Sequence, residues 1–454
     1  MIRDFREKAE RAVACSEADF AEIRISLHNE STFIQAGISS ENTGPVGRFS
    51  GTARVFISNR WGICEFSSVE NMQMALDRAA AHAIHCQSPP LPFPMLEAEC
   101  RDSWDDSLLS PSPGDITGRE KAFLCRHYCE LLGATLGTGS ARVSYQERTG
   151  DRVIVNSRGT SVHERENLCS MKFQAVLPGG LGNSRELAVR GSFESFKGLE
   201  KEIEQLGKDL AFRDTESNIA PGETRVVVDQ ELAGIIIHEA FGHLVEADFL
   251  ECNPAVAHSL RPGQKIASPL VNILDDSRMM KYPGSMRWDD EGSPGQRTVL
   301  IEKGIVKSWL HTASTAAGNR AETTGNARSA DPGRMPEARM TCTFFQEGES
   351  TREELLEQLD NGLYLKGFYG GATDMDRFSI SVQEAWTVRK GVLHKPITPV
   401  VISGRVADVL SAVEGTGNDL KLSGVLKGCA RRGGAAIPVS HGGPHLLISR
   451  IQVS

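Results

Sequence analysis

Apolar and polar residues alternate through FAEIRISL (20–27) and ARVFISNRWGICEF (53–66), a period of two that only an extended chain can turn to a single face. The periodicity then changes in blocks. MIRDFREKAERAV, MQMALDRAAAHAIHC and EKAFLCRHYCELLGATL read as helices, and RVSYQERTGDRVIVNS reads as a strand hairpin turning at Thr149-Gly150-Asp151. NLCSMKFQAVLP is expected to be a strand and LEKEIEQLGKDLAFR a charged helix. Residues 87–114, QSPPLPFPMLEAECRDSWDDSLLSPSPG, hold too much proline for either element and predict an extended arm or long loop. Pro221-Gly222 marks the expected boundary, followed by a strand (TRVVVD), a helix and then mostly strands. TVLIEKGIVKSWL and AWTVRKGVLHKPI are two similar hairpins, each turning at a Lys-Gly pair. Because strands and helices come in separate runs, the expectation is an α+β fold of mainly antiparallel sheets and packed helices. It divides into an N-terminal α+β domain over 1–220 and a β-rich domain over 221–454.

Charge and hydropathy exclude some classes. The 454 residues carry 50 basic and 59 acidic side chains, with no Lys/Arg run to neutralise phosphates, which argues against direct nucleic-acid binding. No stretch approaches the roughly 18 consecutive apolar residues of a membrane span, and the charged N-terminus lacks the apolar core of a signal peptide. A cytoplasmic protein without membrane contact is the expectation. Ten scattered cysteines in so long a chain read as buried thiols and not as a disulfide framework. The groups His82, His85, Cys86 and Cys125, His127, Cys129 lack the paired spacing of a structural zinc site.

GIIIHEAFGHLVEADF (234–249) is the stretch with chemistry in it. Two imidazoles four apart on a helix could share a metal, but His238 and His243 are five apart and would point about 140° from each other on a regular helix. A π-bulge at Gly242 would realign them, and so would a helix that stops and leaves His243 on the following loop. Glu239, behind three isoleucines, sits where burial is costly without a partner; beside a metal it could accept a proton from bound water. Cys429, in a glycine-flanked loop, is a candidate third ligand, and His441 and His445 follow it.

HEAFGHLVEADF resembles the HExxxH stretch of the TldD/TldE (PmbA) metallopeptidases, and within them the TldD-type active subunit. The resemblance continues in order through WDDEGSPGQRTVLIEKGIVKSWL, TGNARS, MPEARMT, YGGATD, GNDLKLSGVLKGC and IPVSHGGPHLLI, from about residue 222 to the end. It is fainter in ADFAEIRIS and VNSRGTSVHERE. It implies one zinc per chain held by His238, His243 and Cys429, with Glu239 as general base. It further implies a peptidase acting on unfolded or short peptides, as a homodimer or as a heterodimer with a TldE/PmbA-like subunit. The chain departs from the family at Ala430-Arg431-Arg432 and at His441 and His445.

Three protein ligands leave a position open for water, as catalytic zinc requires, and a thiolate among them favours zinc over magnesium or calcium. Glu239 would take the water's proton and return it to the leaving amine. Glu246 and Asp248 are candidates to orient the histidines. An extended substrate could add to a strand edge, approaching closely at Gly370-Gly371, although a tight turn is the commoner role of such a pair. Two other classes compete. Cys429 could be a nucleophile with His441 or His445 as base. The chain could instead be a non-catalytic, partner-binding scaffold or regulator with a structural metal site closed by His441 or His445, in keeping with the DNA-gyrase-modulator label some family members carry.

Overall fold

The computed structural model describes residues 2–94, 100–106, 111–178, 180, 182–211, 219–330, 333–431 and 434–454. It is an α+β structure in which the alternating segments become strands and the 3.6-period segments helices. In the first half, strands run in the order Arg60–Phe66, Ser39–Ile57, Phe20–Ala36, Ser140–Asn156, Ser161–Val176 and Arg101–Asp105, with Gly182–Arg190 also on Ser161–Val176. Helices Ile2–Ala14 and Met72–His85 cover one part of this sheet, and Gly118–Leu136 and Glu200–Ala211 another.

Two local expectations give way. RVSYQERTGDRVIVNS is not a hairpin: Ser140–Asn156 is one continuous strand that pairs Phe20–Ala36 on one side and Ser161–Val176 on the other. Gly150 is small because the neighbouring strand crosses it closely; a Cβ there would lie 2.3 Å from the Leu27 carbonyl oxygen. Inside the proline-rich arm, Arg101–Asp105 forms a strand parallel to Ser161–Arg165, so part of that segment is sheet. Residues 95–99 and 107–110 of the arm lie outside the described residues.

The second half holds two larger sheets. One runs Ile305–Val306, Arg297–Glu302, Ile273–Asp276, Cys342–Phe345, Ile437–Gly443, Lys421–Cys429. The other runs Gly362–Asp374, Gly222–Val228, Leu446–Val453, Val401–Arg405, Arg377–Arg389, Val392–Ile397, and pairing of Gly362–Asp374 with Arg377–Arg389 closes five of its strands into a ring. Both Lys-Gly hairpins form where expected, with Lys303, Gly304, Lys390 and Gly391 all at positive φ. Among the described residues, no helix is long and apolar enough to cross a membrane.

Helix Gln230–Ala240 packs against both sheets. Asp229 starts it, its carboxylate accepting the Leu232 N–H at 2.9 Å. Ile235, Ile236 and Ile237 are at most 5% exposed, so the middle of the helix is apolar on successive faces because it is buried on all of them. Gly234 permits the contact: a Cβ there would stand 2.6 Å from the Gly442 nitrogen and 2.8 Å from His441 Cδ2. Gly234→Ala is therefore expected to destabilise the protein by about 1–3 kcal/mol, seen as an earlier denaturation midpoint. An unchanged midpoint would mean that the helix shifts off the strand without cost.

Candidate metal centre

The helix stops at Ala240, and this stop brings His238 and His243 together. A 3₁₀ turn, Gly242–Val245, carries His243 back so that the two rings lie 4.9 Å apart, nearly perpendicular. Of the two geometries the spacing allows, the chain takes the ended helix, not the bulge. Gly242 serves packing: a Cβ there would meet Met340 Sδ at 1.9 Å.

Cys429, at the end of strand Lys421–Cys429, stands 3.6 Å through Sγ from His243 Nε2. The ligand atoms of His238, His243 and Cys429 all lie within 4.8 Å of one another, and among the described residues no other group of histidines, cysteines and carboxylates is so arranged. Arg339, 1% exposed, donates from Nη2 to both Sγ and the carbonyl oxygen of Cys429, each at 3.0 Å. Burial works to raise the Cys429 thiol, but the His243 hydrogen bond and the His243 and Arg339 charges outweigh it and lower its pKa. Burial also opposes a charge on His243; Glu246 and Cys429 overcome that and push it up to about 10. His238 goes the other way, to about 4, through burial and the neighbouring His243. It is thus an imidazole kept neutral, and its buried Nδ1 has no hydrogen-bond partner. Two imidazoles and a thiol whose pKa is lowered make a donor set that fits zinc.

Glu239 lies next to this group, half-buried. The Thr373 hydroxyl reaches its carbonyl oxygen and, at 3.1 Å, its Oε2. Thr373 belongs to strand Gly362–Asp374, which passes over the carboxylate so closely that a Cβ at Gly371 would be 2.9 Å from Glu239 Cγ. Gly370 and Gly371 are exposed and belong to this strand, opposite Ser381 and Ile380, instead of forming a tight turn; the turn comes later, at Met375. The strand's pairing with Gly222–Val228 stops at Leu365, and beyond it the register runs with Arg377–Arg389 alone.

Glu246, wholly buried, is 3.3 Å from His243 Nδ1, 2.7 Å from Arg431 Nη1 and 3.5 Å from Arg339 Nε. Burial alone would raise its pKa; these three cations bring it below the ordinary value. Asp248 meets neither histidine: it accepts the Ala338 N–H at 3.1 Å and pairs with Arg431 at 3.0 Å. His441 is buried 5.8 Å, ring to ring, from His238, outside the donor group. His445 is bound elsewhere, its Nδ1 2.6 Å from Asp419 and its Nε2 3.2 Å from the Tyr364 hydroxyl. The imidazole beside the Cys429 thiol is therefore His243, not His441 or His445. Sequence reasoning missed Arg339 and Thr373. For Arg339 the available signal was an arginine set between two apolar residues, Ala338 and Met340, because a guanidinium drawn into the interior demands an anionic partner.

The model of the PmbA/TldA metallopeptidase C-terminal domain matches residues 221–454, and that of the central domain matches 112–216. A metalloprotease of Synechocystis is 31% identical over 447 residues, covering 96% of this chain and 95% of that protein. A metalloprotease of Methanocaldococcus jannaschii is 30% identical over 94% of this chain and 95% of its own. Among solved structures, TldE from Thermococcus kodakarensis superposes with a TM-score of 0.78 at 16% identity, covering 100% of this chain and 99% of its own, a likeness of fold. Family models along most of the chain and relatives matched over nearly their whole length lead to one conclusion: the chain belongs to the PmbA/TldD metallopeptidase family.

Proposed function

We propose that the protein is a zinc-dependent peptidase of the TldD type, with one zinc per chain held by His238, His243 and Cys429. The observation that carries this reading is the convergence of two imidazole nitrogens and a thiol sulfur, from segments 186 residues apart, to within 4.8 Å. When bound, the ion would supply Lewis-acid polarisation and an acidic water. The protein's own groups do the rest. Glu239 takes a proton on its carboxylate and returns it to the leaving amine, with Thr373 holding Oε2 in place. Glu246 fixes the His243 ring through Nδ1, so that Nε2 faces Cys429. Arg339 donates to the sulfur and, with His243, favours its anionic form.

The strand edge beyond Leu365 supports an unfolded or short peptide as substrate. An extended chain laid along it gains main-chain hydrogen bonds whatever its side chains; Gly370 faces open space there, while Gly371 lets the strand lie close against Glu239. The same reading takes 1–220 as an N-terminal domain and 221–454 as the metallopeptidase domain. It also takes the assembly as a homodimer or a heterodimer with a TldE-like subunit. The likeness of fold to TldE supports the latter.

The test is metal content by mass spectrometry on wild type and Cys429→Ala, with peptide cleavage measured before and after chelation and again after zinc is restored. One zinc per wild-type chain, lost from Cys429→Ala, and cleavage that falls and recovers with the metal are expected. Full zinc in Cys429→Ala would remove the cysteine from the ligand set. Cleavage indifferent to chelation would overturn the metallopeptidase.

A further inference from the structure

A cavity of about 700 Å³ lies between the first-half sheet and the second half, against the strand that ends in Cys429 and its neighbour Ile437–Gly443. Lys427 lines it two residues before the cysteine, and so does Ile437, which sits opposite Cys429 in the strand register. Its charge is lopsided. Arg24, Arg48, Arg148, Arg152, Arg328 and Lys427 all face it. The acids on its walls are committed to some of these: Asp290 to Arg152 at 2.6 Å, Glu166 to Arg148 at 3.4 Å, Glu30 to Arg48 at 3.8 Å. Among the described residues, Arg328 and Lys427 have no carboxylate within ion-pair distance; Arg328 donates to the Met340 carbonyl oxygen at 2.8 Å.

Arg24 brings an unmet donor to the same cavity. It is 8% exposed, yet its Nη1 has no hydrogen-bond partner, and Asp290, at 3.8 Å, already accepts from Arg152 and the Ser329 amide. A guanidinium nitrogen withdrawn from water without an acceptor is costly, and an anion entering the cavity would relieve the cost. The field is felt nearby: His28, on the same wall, is held down at about 4 by burial and by Arg148.

We propose that this cavity is a carboxylate subsite for the peptide, with Arg24 and Arg328 as the planar donors and exposed Lys427 adding charge. Guanidinium groups match a carboxylate's two oxygens in plane. An acidic side chain and a peptide C-terminus offer the same chemistry. The inference rests on the peptidase reading, since it names what that peptide carries.

The experiment measures binding by fluorescence anisotropy in the full-length Glu239→Gln protein, alone and combined with Arg328→Gln or Lys427→Gln. Three labelled octapeptides of matched sequence are used: neutral and C-terminally amidated, neutral with a free C-terminus, and amidated with one internal Glu. At least one carboxylate-bearing peptide is expected to bind about tenfold more tightly than the neutral amide. That preference is expected to shrink in both variants, and which peptide is preferred identifies the source of the carboxylate. Equal binding of all three, or a preference untouched in both variants, would overturn the subsite. Should Arg328→Gln fail to fold, the exposed Lys427→Gln decides alone. A preference that depends on these cations, in a protein whose wild type cleaves none of the three, would keep the subsite and show that this chain alone is no peptidase for them. Cleavage of all three without preference would do the reverse.

Discussion

Glu239→Gln is expected to lower peptide cleavage by about a hundred- to ten-thousandfold, the range a positioned general base contributes. Zinc content should stay at the wild-type level, because Glu239 is not among the three clustered donors. The fold should also hold, since the side chain is only half-buried and an amide oxygen can still accept from the Thr373 hydroxyl. The measurements are kcat and KM on one peptide, with metal analysis of the same preparation. A zinc-loaded variant with wild-type kcat would show that Glu239 moves no proton in the slow step. A variant that had lost its zinc would make Glu239 a ligand or a support for one.

Glu246→Gln should act on stability instead. The wild-type carboxylate is fully buried and faces His243, Arg339 and Arg431, so the change strands positive charge in the interior. Breaking such a buried network by removing one partner costs about 3–5 kcal/mol. The variant's metal-free form should accordingly unfold at distinctly lower denaturant than metal-free wild type. The pH dependence has a definite sign. The folded-state pKa of Glu246 lies below its ordinary 4.5, so its contribution is complete above that value and is lost as pH falls through the lowered one. The gap between the two proteins should be full at neutral pH and close in acid. A gap that is absent at pH 7, or that widens in acid, would mean that the arginines are neutralised by something other than Glu246. Zinc affinity should also fall, by about 10–100-fold, because Glu246 fixes the orientation of the His243 ring.

Glu246 and Asp248, two residues apart in one acidic stretch, share Arg431 but end in different roles, one against His243 and Arg339 and the other against the Ala338 amide. Nothing in their spacing separates them, because the difference comes from Arg339 and the Ala338 amide, which arrive from far along the chain. His238 and His243 were legible as a pair, yet their spacing left open whether the helix bulges or stops, and the packing around Gly242 was not legible either. There Met340 leaves no room for a side chain.

The sequence by itself determined what is decided over a few residues. Alternation made strands of 20–27 and 53–66, Asp229 set the start of the motif helix, and Lys-Gly pairs at 303–304 and 390–391 made turns, since positive φ is a local demand. The tertiary structure decided whatever depends on a neighbour distant in the chain. Gly150 looked like a turn and is a place where two backbones cross. Arg101–Asp105 became a strand because Ser161–Arg165 offered it a parallel partner. Gly370 and Gly371 became part of a strand over Glu239. The lowering of the Cys429 pKa comes from His243 and Arg339. Dihedral preference and side-chain periodicity act between adjacent residues, whereas burial, ion pairing and close backbone approach exist only once the sheets have packed.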